Sequence, residues 1–275
     1  MIDGPKLARR LTSAFSLNLV PEGEPELSAT PSIRVVDIEP PNGFGISISS
    51  TWRSLEARFS PDPFASQLVK SICTSSELQR NSCFLVASAF KLRGVKSTFK
   101  IDGNTVDFGP LPPGEWRSFS LSCLRLTNHD ASQVDAEEVT TACLSLVLSL
   151  LNSESVVSDI AEPRGSVLEG MATRHEVTRY ERSPVNRAAA IALHGAKCKA
   201  CGFDFAKVYG IIGDGFIEIH HITPVSDLGG PVAIDPMVDL VPLCSNCHRM
   251  VHRQDPPIPV DELRRILAQT ELPRE

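Results

Sequence analysis

Two cysteine pairs and four histidines in the last third of the chain have residue types and spacings that suit metal chemistry. Cys198-Lys199-Ala200-Cys201-Gly202 reads as a knuckle turn. The two-residue gap lets both thiolates reach one ion, and the glycine relieves the backbone after the second ligand. Cys244-Ser245-Asn246-Cys247 supplies a second pair. In a chain of cytosolic character, two such pairs read as metal ligands rather than disulfides. Four thiolates suit a closed tetrahedral zinc site that holds a fold and performs no reaction.

Between and after these pairs lie the histidines. Phe216-Ile217-Glu218-Ile219-His220-His221-Ile222 reads as a strand ending in paired imidazoles, with Pro224 to stop it. Residues Asn246 to Arg253 read as a short helix starting at the second knuckle, so His248 and His252, four apart, project from one face. Imidazoles at this spacing, with a third on a nearby strand, make an open three-ligand site of the kind that hydrolytic metal centres use. His220 and His221 can share a cleft only where the strand end bends, because neighbouring strand residues point to opposite faces. Imidazole ligands favour Zn, Ni, Co or Mn, whereas Mg prefers oxygen. Glu218 either orients a histidine through its second ring nitrogen or is an exposed strand residue. Arg249 and Arg253 either clamp phosphate or face solvent.

The run Glu218-x-His220-His221-Ile222-x-Pro224, followed by Asp239-Leu240-Val241-Pro242-Leu243-Cys244-x-x-Cys247-His248-x-x-x-His252, resembles the HNH (ββα-metal) endonucleases. Within them it is similar to the zinc-knuckle branch that includes the McrA-like modified-cytosine restriction enzymes. The resemblance covers about residues 175–254 and leaves the first 150 untouched. It implies that His220, His248 and His252 hold a catalytic divalent ion, with His221 the general base that activates water against the scissile phosphate. The family's middle Asn is Asp239 here, and the resemblance makes it the residue that holds the ββ loop and orients the base. Aspartate accepts the same backbone hydrogen bonds but has no amide to donate.

Composition sets wide bounds. The chain has 275 residues, a formal charge of −6 and an ordinary balance of apolar and charged residues, which fits one large or two average soluble domains. The charge argues against a protein that coats nucleic acid without selectivity, although a local basic patch is compatible with an acidic whole. There is no bilayer-length apolar run and no signal-peptide pattern, so a cytoplasmic protein without membrane contact is expected. The remaining cysteines, Cys73, Cys83, Cys123 and Cys143, sit in apolar stretches without repeated spacing and read as small buried hydrophobes.

The elements upstream must form whatever positions or targets this chemistry. Leu7 to Leu19 is amphipathic, and Pro21 to Pro31 reads as a loose connection. Period-two alternation over Gly45–Ser49, resuming through Trp52, Leu55, Ala57 and Phe59, predicts strands. Asp62, before Pro63, is the expected N-cap of a helix through Leu68, Val69 and Ile72. A hairpin around Asp102-Gly103-Asn104, a strand over Trp116–Leu126 and a helix over Asp135–Leu151 complete the pattern. We therefore expect an α+β protein: a mixed strand/helix domain over 1–152, a linker over 153–174 with a charged helix starting near Met171, and a zinc-stapled ββα-metal nuclease domain over 175–275.

For the N-terminal domain, the window between Glu77 and Asp102 has no acidic residue and contains Arg80, Lys91, Arg93, Lys96 and Lys100. It reads either as a DNA phosphate-binding face or as a solvated strand edge. Trp52 and Trp116 are expected in the core, with stacking on an extruded base as the alternative. The favoured expectation is a metal-dependent DNA endonuclease of restriction or antiviral defence, its N-terminal domain reading DNA, modified or not. The alternatives are a nuclease effector that senses a small molecule or protein, and a non-catalytic zinc module that only binds nucleic acid. A double-strand break from so small a module favours a homodimer.

Overall fold

The computed structural model describes residues 2–15, 17–22, 31–36, 38, 41–106, 109–128, 131–151, 183–223, 232–254 and 256–269. The expected linker, the charged helix before residue 183 and Pro224 lie outside them. Among the described residues the architecture is mixed strand and helix, as expected. A seven-stranded antiparallel sheet runs in the order β1-β2-β3-β4-β7-β5-β6, formed by Leu19–Glu22, Ser32–Val35, Phe44–Ser50, Ser54–Pro61, Phe119–Leu126, Val95–Ile101 and Asn104–Val106. Separate from it is a two-stranded hairpin, β8 (Glu218–His221) with β9 (Leu240–Leu243).

One face of the large sheet is apolar because its strands alternate. Phe44, Ile46 and Ile48 of β3 are buried with Leu55, Ala57 and Phe59 of β4 and Phe119, Leu121 and Cys123 of β7. Helices α1 (Gly4–Phe15), α3 (Glu77–Leu92) and α4 (Gln133–Leu150) contribute to this core. Helix α4 is apolar nearly all round and fully buried from Ala136 to Val147 at most positions, which makes it the central helix of the domain. Its start is a capping box, in which the Ser132 hydroxyl accepts from the Asp135 amide and the Asp135 carboxylate accepts from the Ser132 amide. The four scattered cysteines are all buried in this unit.

Four expectations are corrected. Residues 77–92 form helix α3, not a strand edge, started by a Ser76/Gln79 capping box. Helix α2 is Ser66–Cys73 with Ala65 as its N-cap. The Asp62 carboxylate instead accepts from both Arg34 terminal nitrogens and the Gly43 amide, and this guanidinium holds its pKa below the usual carboxylate value. Strand β1, Leu19–Glu22, runs from the end of the amphipathic stretch into the first two residues of the segment read as loose, Pro21 and Glu22. Trp52 is not in the core: it sits at the tip of the β3–β4 hairpin and is 73% exposed. Trp116 is buried as expected, stacked on Phe119.

Helix α5 (Pro184–His194) connects the two units. Ser183 precedes a proline in the first turn, where a missing amide costs nothing. Ala188, Ala189 and Leu193 join the large core, while Ile191 packs on a second, smaller core built from Cys198, Ala200, Ile217, Leu243, Cys244, Cys247, Val251 and Leu263. Polar contacts join the same surfaces. Arg187 donates to the Ser13 and Ala14 carbonyls at the C-terminal end of α1, and to the Ile217 carbonyl just ahead of β8. Burial draws this guanidinium below its ordinary pKa, and the negative end of α1 is a favourable place for it. Arg10 of α1 binds Glu137 of α4 at 2.6 Å and Asp214 of the loop before β8 at 2.9 Å.

Candidate metal centres

The first knuckle is made by local turn geometry. The Cys198 amide donates to the Phe203 carbonyl, the Gly202 amide to the Cys198 carbonyl, and Lys197 bridges to Asp204. Gly202 has φ +77°, a conformation that suits glycine after the second ligand. Past the short helix α6 (Phe205–Tyr209) and the β8–β9 hairpin, the second knuckle starts helix α7 (Ser245–Val251): Cys244 is its N-cap, and its Sγ accepts from the Cys247 amide. The Lys199 amide donates to the Pro242 carbonyl on β9, which brings the two knuckles together. Helix α8 (Val260–Gln269) closes over them, with Arg264 donating twice to the Lys199 carbonyl.

The four Sγ atoms lie within 4.8 Å of one another, and Cys201 and Cys244 are 3.7 Å apart. Tetrahedral thiolates about 2.3 Å from a zinc ion stand about 3.8 Å apart, so the donor set fits zinc. Its electrostatics also call for a cation. Burial opposes ionisation of Cys198, but amides of the two knuckles outweigh it and bring the thiol down to about 7. Burial pushes Cys244 up to about 11 and raises Cys247 as well. Cys198, Cys244 and Cys247 cannot all be thiolate side by side without positive charge among them.

The second cluster stands on the hairpin and α7. His220 on β8 pairs with Val241 on β9 and is 3% exposed. His248 lies within α7, and His252 is the residue that ends it. One ring nitrogen from each falls within 4.8 Å of the others, and the rings lie edge to face, 4.9 to 5.6 Å between centroids. Three neutral imidazoles converging in this way fit a divalent ion with an open coordination position. Glu218, two residues before His220 on the same strand, reaches the Nδ1 of His248 at 2.5 Å. Of the two roles considered for Glu218, this geometry matches histidine orientation, since a carboxylate on Nδ1 leaves Nε2 for the metal and raises its basicity.

His221 closes β8 opposite Leu240 and is partly exposed. It is not among the three clustered imidazoles. The Asp239 carboxylate accepts from the Asp235 amide at 2.8 Å, and the Asp239 amide donates to the Asp235 carbonyl at the same distance. The Asp239 carbonyl accepts from the Ile222 amide at 2.9 Å, which extends the hairpin ladder one residue past His221. The Asp239 carboxylate thus accepts a backbone hydrogen bond within the loop that leads into β9. His194 of α5 also meets the Pro236 carbonyl of this loop at 3.0 Å, a contact between residues 42 apart that no local pattern marks.

The arginines divide. Arg249 and Arg253 are exposed beside the histidines, and among the described residues neither pairs with a carboxylate. Arg80 cannot meet phosphate. It is 8% exposed, lies over the Trp116 ring at 4.6 Å, and donates to the Pro112 and Gly114 carbonyls and the Ser75 hydroxyl. Arg93 is bound to Glu138 at 2.9 Å yet keeps part of its surface in water. Lys91, Lys96 and Lys100 are exposed.

Comparison with known proteins agrees with this geometry. Residues 198–254 match the family model described as HNH endonuclease. Over 107 residues the chain is 32% identical to the type IV methyl-directed restriction enzyme EcoKMcrA of Escherichia coli (strain K12), a match that covers 38% of this chain and 36% of that enzyme. The chain thus spans about a third of the length of the curated relative it matches. Two knuckles around one four-cysteine cluster, a ββα unit around three imidazoles and the family match coincide on one stretch, and the C-terminal part of this chain is an HNH, McrA-like domain.

Proposed function

We propose that this protein is a metal-dependent DNA endonuclease acting in restriction, and that its N-terminal α+β domain selects the DNA to be cut. The observation that carries the catalytic half is the division of four histidines into three that converge and one, His221, that does not. A base needs a ring nitrogen that a metal has not taken, and His221 has the right place in the hairpin for that.

A divalent ion held by His220, His248 and His252 would supply positive charge to the non-bridging and leaving oxygens of the scissile phosphate. Neutral imidazole at His221 accepts the proton of the attacking water, which suits its pKa range near neutral pH. Asp239 fixes the loop next to that residue, and Glu218 fixes the His248 ring. Arg249 on α7 and Arg253 just past its end are both exposed and would bind phosphates on either side of the cut. The structural zinc belongs to the four cysteines and takes no part in the reaction.

The targeting half rests on the relative's name, a methyl-directed restriction enzyme, and on an N-terminal domain firmly joined to the nuclease unit through Arg10, Arg187 and α5. Incubating the full chain with plasmids that differ only in cytosine modification, across Mn, Ni, Co, Zn and Mg, tests both halves. We expect cutting of modified plasmid with at least one ion and little cutting of unmodified plasmid. Equal cutting of all plasmids would remove the targeting reading, and no cutting under any condition would remove the nuclease reading. Among the described residues no helix is long and apolar enough to cross a membrane.

A further inference from the structure

Trp52 sits at the β3–β4 turn with the Arg53 guanidinium 4.0 Å above its ring. The turn is braced: the Thr51 amide donates to the Ser54 carbonyl, the Thr51 and Ser54 hydroxyls meet at 2.8 Å, and the Thr127 amide donates to the Arg53 carbonyl. A large aromatic ring is therefore held out in water on a fixed support, an uncommon position for a side chain that gains so much from burial.

Topology brings further residues to the same end of the sheet. Ser54 pairs with Leu126, Leu55 with Arg125, and Arg125 in turn with Val95, so the start of β4, the end of β7 and the start of β5 lie side by side. At strand spacings of about 5 Å, the turn and the α3–β5 junction are about 10 Å apart. That junction bears exposed Lys91, Leu92 and Lys96, and Leu126 is exposed between them and the turn. The nearby carboxylates are paired, Asp135 and Glu138 buried against Arg125 and Arg93 and Glu56 of β4 bound by Arg58, and no acidic residue occurs between Glu77 and Asp102. The end of the sheet therefore presents an aromatic ring, two leucines and a surplus of cations. Interleaved cations and ring faces suit nucleic acid, which offers phosphates and bases together, whereas the centre of a protein interface is depleted in charge.

We propose that this end of the sheet is a DNA-docking edge on which Trp52 stacks against a base extruded from the duplex, or wedges into an opened base step, while Arg53 and Lys96 face phosphates. The inference rests on the reading that the N-terminal domain engages DNA, and it names where and how. Duplex DNA is the occupant; a second copy of this chain is the competing one.

The test uses the full chain without divalent ion, so that no cutting occurs, and short duplexes with and without modified cytosine. Trp52 and the buried Trp116 are the two tryptophans of the chain, so emission from the exposed one reports directly on stacking. Duplex is expected to quench that emission, and the quenching should vanish in Trp52→Phe. Trp52→Ala should weaken binding about 5- to 150-fold, the range typical of losing one base-stacking aromatic. Lys96→Ala should weaken it less and lower the salt dependence by about one phosphate contact. Unchanged emission together with unchanged affinity of Trp52→Ala would overturn the docking edge, and a modification preference kept by that variant would leave the targeting reading standing. Absence of binding to every duplex would overturn both. A wild-type dimer converted to monomer by Trp52→Ala at constant DNA affinity would assign the edge to a second copy instead.

Discussion

Replacing His221 with alanine is expected to slow single-turnover DNA cleavage by about 10² to 10⁴, the usual contribution of a general base, while binding of the catalytic ion and of DNA stays close to wild type. The split follows from geometry. His221 stands next to His220 on β8 but outside the three converging imidazoles, so its loss leaves the metal donors in place. The pH profile gives a second reading. In the wild type the rate should rise through the range where imidazole loses its proton, and that limb should flatten in His221→Ala. A variant that cuts at the wild-type rate would remove His221 from the reaction, and a variant that no longer binds the ion would make it a ligand.

The second large effect concerns the four cysteines. Cys247→Ser, or removal of zinc by a strong chelator, is expected to unfold the C-terminal unit. The small core around Leu243, Val251 and Leu263 includes three of the four cysteines, and structural zinc in small domains supplies on the order of 10 kcal/mol of folding free energy. The sheet domain has its own larger core and should survive. Calorimetry is expected to show loss of one thermal transition and retention of another, with zinc content falling from one per chain to none. Retention of zinc and of both transitions in Cys247→Ser would show that the cluster is not a four-thiolate site.

The reliability of the sequence varied along the chain for physical reasons. The metal-bearing third was legible because its ligands are placed by local geometry: a two-residue turn, a four-residue helical spacing and a strand that ends at a known residue. At Asp239 the structure shows an acceptor in place, since accepting a backbone amide needs only a carboxylate oxygen at the right position. The sheet domain was legible where alternation was strong and illegible where contacts are distant in sequence. Arg80 falls in a basic window, but α3 turns it inward onto the carbonyls of Pro112 and Gly114, more than 30 residues away. Asp62 has the sequence context of a helix cap, but Arg34 and the Gly43 amide claim its carboxylate across the sheet. Trp52 is apolar enough for a core, yet the β3–β4 register puts it at a turn with no layer above it. Helix α3 had a local signal, a Ser76/Gln79 capping box, which the charge-based reading of that window passed over, and α5 had one in the proline after Ser183.

The most direct test of the account is cleavage by the full chain after the loosely held divalent ions have been removed and single ions returned, compared with the same chain as His252→Ala. His252 is exposed at the end of α7, so its replacement leaves both buried cores and the four-cysteine cluster intact. We predict no cutting without added ion, restoration by at least one of Mn, Ni, Co, Zn or Mg in the wild type, and loss or a large reduction of that restoration in the variant. Cutting that persists without divalent ions, or a His252→Ala chain restored to the wild-type rate at the same ion concentration, would contradict the assignment of the three histidines as the catalytic metal site.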